Sequence, residues 1–190
     1  MKNRGVSPVV SVILLVAIVV ILAATISAFA LDFGNDVNTE PPFVAQSSGD
    51  VDPADGGAGG ILTVTHEGGD PVQVSNIEIV VDATDACGQR ARVVNLPADY
   101  SYGGDQLDDE NFVNGDSSIL VKGHPFDQEE WNIGPLGDHT DNAFEVGESF
   151  QLRLSGDQDD GCPVQEGDRL RVAVVHTPSE TIVISQELTV

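Results

Sequence analysis

Residues 4–31 read RGVSPVVSVILLVAIVVILAATISAFAL, a segment unlike anything else in the chain. From Val6 to Leu31 there is no charged residue, and the next ionisable side chain is Asp32. As a helix these 26 residues would extend about 39 Å at ~1.5 Å per residue, more than the ~30 Å hydrocarbon core of a bilayer. Fourteen of the residues from Val9 to Phe29 are Val, Ile, Leu or Phe. At roughly −0.3 to −0.6 kcal/mol each, they favour insertion by about 4–8 kcal/mol. The β-branched residues would weaken this helix in water, but in lipid the backbone must bond to itself, so the helix is favoured. Pro8 falls in the first turn, where its missing N–H costs nothing. Apolar residues cover every side, which excludes an amphipathic surface helix. Lys2 and Arg4 keep the N-terminus inside and send the remainder outside.

The remainder is strongly acidic. The 190 residues hold 8 Lys+Arg and 31 Asp+Glu, a net charge of −23 with histidine neutral. All the acids lie beyond Leu31, and losing residues 1–5 removes two positive charges, taking the net to −25. Nucleic-acid binding is excluded, because a phosphate backbone is held by basic patches that this chain lacks. With 41% hydrophobic residues, much of them in patterned runs, the chain is not a disordered acidic tail. Lysine is confined to Lys2 and Lys122, against six arginines. Such a surface suits concentrated salt, which screens self-repulsion. The plainer alternative is an acidic extracellular protein from an ordinary habitat.

The apolar segment admits three fates. Ala28-Phe29-Ala30 has the small-x-small form of a secretory cleavage site, but the apolar run is longer than the 7–15 residues usual there. The helix could instead be a permanent anchor. Or cleavage could fall before it, between Gly5 and Val6, where a basic and a small residue abut an unbroken hydrophobic helix.

The third arrangement, Arg4-Gly5-Val6-Ser7-Pro8-Val9-Val10-Ser11-Val12-Ile13-Leu14-Leu15-Val16-Ala17-Ile18, closing with Ile21-Leu22-Ala23-Ala24, closely resembles the N-terminal domain of archaeal, here haloarchaeal, type IV pilins. The resemblance covers about the first 30 residues. It implies that a membrane-embedded prepilin peptidase cuts between Gly5 and Val6. The helix would then stay on the mature protein, first as membrane anchor and then as filament core. Bacterial pilins usually carry glutamate at the fifth mature position; here that position is Val10. Ala17, Ala23, Ala24, Ser27, Ala28 and Ala30 are small enough for close helix approach. A helix apolar all round is satisfied by lipid or by a bundle of like helices, and a repeating contact that does not close makes a filament.

Beyond Leu31 the pattern changes. Residues 39–60, with Pro41-Pro42 and glycine-rich Gly56-Gly57-Ala58-Gly59-Gly60, read as a linker or long loop. Helix is expected over 6–38, since it cannot pass Pro41-Pro42. From Ile61 the period is two. Strands are expected at Ile61–His66, Val72–Ser75, Ile77–Asp82, Ala91–Leu96, Ser118–Val121, Phe150–Ser155, Leu170–Val175 and Thr181–Val190, with Ile182 and Ile184 on one face. Turn signals such as Asn114-Gly115-Asp116 and His176-Thr177-Pro178-Ser179 separate them; the latter resembles, more loosely, a late turn of the same family. The acidic segment Ala98–Ser117 reads as an exposed loop. The fold class is therefore α+β by its parts: a leader at 1–5, a long hydrophobic helix, then an all-β antiparallel, sandwich-like domain over 61–190.

Chemistry is sparse. There is no G-x-S-x-G, H-E-x-x-H or P-loop, and hence no catalytic, cofactor-binding or metal residue to name. His66, His124, His139 and His176 are scattered and read as surface or strand-end residues. Asp157-Gln158-Asp159-Asp160-Gly161 starts like a calcium loop but misses its next ligand, so an acidic turn is the better account. Tyr100, Tyr102 and Trp131 lie in loops and read as packing residues rather than a sugar-binding patch. Cys87 and Cys162 are too few for a disulfide scaffold. In an outward-facing domain they can pair, closing a 76-residue loop worth about 4 kcal/mol on the chain-entropy model; two distant thiols are the alternative.

These readings converge on a structural subunit, not an enzyme. The resemblance implies a pilin of a surface filament that serves adhesion, cell–cell contact or biofilm formation. Its partners are further copies of itself in a helical filament, the prepilin peptidase, the assembly platform, and the membrane before assembly. A membrane-anchored binding domain that never polymerises is the alternative from another class. A hydrolase released at Ala30 is weakened by the missing catalytic constellation.

Overall fold

A computed structural model of the chain describes residues 6–36, 40–53, 59–101, 104–113, 119–121, 134–137, 142–157 and 161–190. The chain divides into two compact units, Met1–Glu40 and Pro41–Val190. Among its described residues the first holds one helix, α1 (Val6–Asp36). Its described residues run to Asp36, just past Gly34, a residue that weakens helices; the expected end at residue 38 lies outside the described residues, and Pro41-Pro42 beyond cannot continue a helix.

The second unit is built from antiparallel strands. A three-stranded sheet runs in the order β1 (Val44–Pro53), β2 (Gly59–Gly69), β9 (Ser149–Ser155). A four-stranded sheet runs β11 (Thr181–Thr189), β10 (Arg169–His176), β4 (Ile77–Ala83), β5 (Gln89–Val93). Among the described residues two small ladders accompany these sheets: β3 (Val72–Gln73) with β8 (Ala143–Phe144), and β6 (Asp99–Ser101) with β7 (Gly104–Gln106). Every second residue of β4 and β9 is buried, as the period of two requires. Leu62 and Val64 of β2 and Phe150, Leu152 and Leu154 of β9 share one core with Ile79, Val81, Val172, Val174 and Ile184 of the other sheet. Two sheets whose apolar faces meet in a common core are a sandwich.

The expected linker over 39–60 is corrected here. Val44–Pro53 is a strand, paired with β2 from Ser47↔His66 to Pro53↔Gly60. Its hydrogen bonds are made by backbone, which composition does not report, and Val51 alone in this strand is fully buried. Gly49 reads as a linker residue but marks a close approach: a Cβ there would stand 2.7 Å from Leu188 Cδ2 of β11. Beside it, Gln186 Nε2 donates to Ser47 O at 2.9 Å and to Ser47 Oγ at 2.8 Å, joining the borders of the two sheets.

The described residues of the acidic segment 98–117 also differ from the expected exposed loop; 102–103 and 114–117 lie outside them. They begin with the antiparallel pair β6–β7 and include a 3-10 turn, Asp109–Asn111. The Asp108 carboxylate accepts from Glu110 N, and Asn111 Oδ1 accepts from Asp108 N, a reciprocal cap. Asn111 Nδ2 then donates to the carbonyls of Val94 and Asn95, and Leu107 and Phe112 are buried. Of the strand expected at Ser118–Val121, Ser118 lies outside the described residues, and residues 119–121 form one bridge, between Leu120 and Leu154. The expected same-face pair Ile182 and Ile184 is split. The register moves from Val174↔Ile184 to Val175↔Ile182, so Val183 is an extra residue and the faces invert. Ile184 is buried, whereas Ile182 is 58% exposed.

The outer face of the four-stranded sheet carries an ordered row of charge. Register places Glu187 of β11 beside Arg171 of β10, Arg171 beside Asp82 of β4, and Asp82 beside Arg90 of β5. Signs alternate across all four strands. Arg90 bonds Asp82 at 2.6 Å, and Arg171 bonds Glu187. The next outward row is Ser185, Ala173, Val80 and Arg92, with Arg92 reaching diagonally to Glu78.

The Thr84 hydroxyl, its backbone N–H and Arg90 hold the Asp82 carboxyl below the usual carboxylate range, against the opposing effect of burial. A lowered folded value stabilises above the unfolded pKa of about 3.9 and is lost as pH falls through the folded value. Asp82→Asn should therefore cost up to about 1 kcal/mol at neutral pH, the scale of partly exposed pairs. In denaturant unfolding the two proteins should converge as pH drops below the folded pKa. A difference that persists there would show that the carboxylate charge is not the cause.

Candidate functional site

The helix is the feature with the clearest physical demand. Val9–Ser27 has a mean hydropathy of 3.2, and none of this span is buried within the protein. Val12, Ile13, Leu15 and Ile21, pointing in different directions around the axis, are each more than 60% exposed. Exposing such a surface to water costs about 25 cal/mol per Å², so it requires lipid or other apolar helices. The Thr25 hydroxyl is satisfied locally, because its Oγ1 donates to Leu22 O at 2.8 Å and needs no outside partner. The helix is long and apolar enough to cross a membrane.

Of the expected processing residues, Val6 is the first residue of α1, while Arg4 and Gly5 lie outside the described residues. The first turn of α1 contains no acidic residue. Ala28-Phe29-Ala30 lies within the helix, which continues to Asp36.

Cys87 and Cys162 are bonded, with Cα atoms 5.5 Å apart. Cys87 ends a single helical turn, α2 (Thr84–Cys87), between β4 and β5. Cys162 lies fully buried in the connection from β9 to β10, its N–H donating to Ser155 O at 2.7 Å. The bond thus ties the end of one sheet to the strand-to-strand crossing from the other. Nearby, Gln89 Nε2 donates to Gly161 O at 3.3 Å. Cys87→Ser with Cys162→Ser should lower unfolding free energy by about 2–4 kcal/mol, because the reduced chain regains the entropy of a long loop. Denaturant titration of both proteins measures it; equal midpoints would refute it.

The histidines divide. His66 is corrected from a surface or strand-end residue to a core one: it is fully buried in β2, its ring 5.4 Å from that of Phe144, and its Nδ1 is 3.1 Å from Phe144 O. His176 ends β10, also buried, with Nδ1 2.7 Å from Ser179 Oγ. His124 and His139 lie outside the described residues, as do Tyr102, Trp131 and most of the acidic turn Asp157–Gly161. Tyr100 falls in β6. Among the described residues, no three His, Cys, Asp or Glu side chains are grouped to hold a metal ion. A polar groove of about 630 Å³ lies at the α2 end of the four-stranded sheet, lined by Asp82, Thr84, Asp85, Arg169, Arg171 and Glu187 among others, with no histidine, cysteine or serine among the described residues.

Comparison with known proteins agrees with the helix. Residues 4–45 match the family described as archaeal type IV pilin, N-terminal. An uncharacterized protein of Archaeoglobus fulgidus is 38% identical over 82 residues, which are 43% of this chain and 55% of that protein. The chain thus matches about half the length of that relative. The match takes in the whole of the apolar helix α1 and supports a pilin role.

Proposed function

We propose that this protein is the structural subunit of an archaeal type IV pilus-like surface filament, processed between Gly5 and Val6. The observation that carries the reading is the apolar helix with no burial within its own chain, lying inside the segment that matches the pilin family. In the membrane, lipid covers that helix. In the filament, the helices of other copies replace lipid, a trade of like for like that favours packing of small residues at close range. The disulfide-bonded β-domain then forms the outer surface. Its acidity fits an exterior exposed to concentrated salt, and adhesion or cell–cell contact is the work such a surface performs.

Mass spectrometry of the N-terminus, on sheared surface filaments and on membranes separately, tests the reading. A start at Val6 in both fractions is expected. A start at Met1 with no material in the sheared fraction would make the protein an anchored β-domain instead. A start at Leu31 in the medium would make it a secreted one.

A further inference from the structure

The chain carries −23 charges, and copies of it repel one another over most of their surface. The outer face of the four-stranded sheet is the exception. It gathers Arg90, Arg92, Arg169 and Arg171, four of the six arginines of the sequence. Against them stand Glu78, Asp82 and Glu187, with Asp85 at the edge of the adjoining groove, so this face bears no net charge. It is also partly apolar: half-buried Val80 follows Asp82 along β4, half-buried Val175 stands in register with Glu78, and Ile182 is exposed opposite Val175, while Ala173 between them is covered by its neighbours. Arg90 and Arg171 are each 60% exposed, so their charges remain open to a partner.

We propose that this face is a docking surface for a second copy of the chain, meeting the same face of that copy across a two-fold axis. The charge row commits it to this partner. Read from β11 to β5, the row is Glu187, Arg171, Asp82, Arg90. An even-numbered row of alternating sign becomes its own complement when reversed. A two-fold axis running along the strands between β10 and β4 reverses it, setting Glu187 against the partner's Arg90 and Arg171 against the partner's Asp82. The same axis lays Ala173 over the partner's Val80, and Ser185 over the partner's Arg92. A contact that is self-complementary about a two-fold is isologous and closes as a dimer. Like-charge approach suppresses the other orientations, so the row sets register as well as attraction. Arg169 has no carboxylate partner among the described residues and shares the groove with Asp85, which leaves a further cation and anion to exchange between copies.

The inference goes beyond filament formation and stands whether or not the helices polymerise. If they do, a polar helical filament contains no two-fold axis of this kind, so the contact would join separate filaments side by side.

The test uses the full chain in membranes. Val80→Cys places a thiol next to the proposed axis, and a short bis-maleimide can span sheets packed about 10 Å apart. Thr63→Cys, outward on β2 of the other sheet, is the control. Val80→Cys should give a covalent dimer on denaturing gels, and Thr63→Cys should not. Adding Arg90→Glu, which brings a second carboxylate against the partner's Glu187, should lower the dimer yield by about tenfold or more. Arg90 is exposed at a sheet edge, so its reversal leaves the core intact; adding Glu187→Arg to that variant should restore the yield. Absence of the Val80→Cys dimer, equal yields from the two faces, or indifference to Arg90→Glu would overturn the proposal. Failure to find processed subunits in sheared filaments would bear on the pilin reading alone.

Discussion

The Gly5→Val variant should accumulate as an uncut precursor in the membrane and disappear from sheared filaments. The reasoning starts at the N-terminus. The proposed cut follows a small residue, and a branched side chain at Gly5 obstructs it. The uncut chain keeps Lys2 and Arg4, two cations held at the N-terminal end of a helix that must pack among its copies. The first turn of α1 has no acidic residue to pair with them. In the membrane those charges rest in water at the inner surface, at no cost, and they fix orientation. Within a helix bundle each would lose hydration without a partner, a penalty of several kcal/mol per ion. Intact mass of the membrane species should include residues 1–5, and immunoblots of the sheared fraction should be empty. Arg4→Glu should behave likewise. Normal filaments from either variant would contradict processing at this junction.

Ile18→Asp should separate the two environments of the helix. Ile18 lies near the middle of Val9–Ser27 and is 57% exposed. Aspartate at the centre of a span costs about 3–4 kcal/mol relative to isoleucine, against the roughly 4–8 kcal/mol supplied by the whole apolar run. Insertion should therefore fall but persist. In a filament the same carboxylate repeats in every subunit, buried and unpaired, at several kcal/mol each. The expected result is subunit in the membrane fraction, reduced in amount, and none in the sheared fraction, while Ile18→Leu assembles normally. Filaments at wild-type yield from Ile18→Asp would show that this helix does not form their core.

The helix was legible because one property dictates it. No sequence of uncharged, mostly aliphatic residues from Val6 to Leu31 can be left in water, and in lipid a backbone of that length has only the helix open to it. The proposed processing junction rests on a related signal, a change of composition between adjacent residues. The buried strands β2, β4, β9 and β10 were legible through side chains that alternate against a core. Strand β1 was not. Its SSGD composition imitates a linker, and its place comes from backbone bonds to β2 and from the contact of Gly49 with Leu188. His66 carried no signal either: a histidine in a strand reads as polar until the ring is seen between the core and the Phe144 carbonyl.

Sequence alone determined that this protein has an apolar helix for lipid or for its own kind, followed by an acidic, strand-built domain. Tertiary structure alone decided which distant residues meet. It set the bulge at Val183 that turns Ile182 outward, the seating of Cys87 against Cys162, and the alternating row from Glu187 to Arg90. The physical reason is the range of the information. Hydropathy and period are local sums over neighbouring residues, whereas register between strands far apart in the chain, such as Glu78 beside Val175, is set by packing that no local window contains.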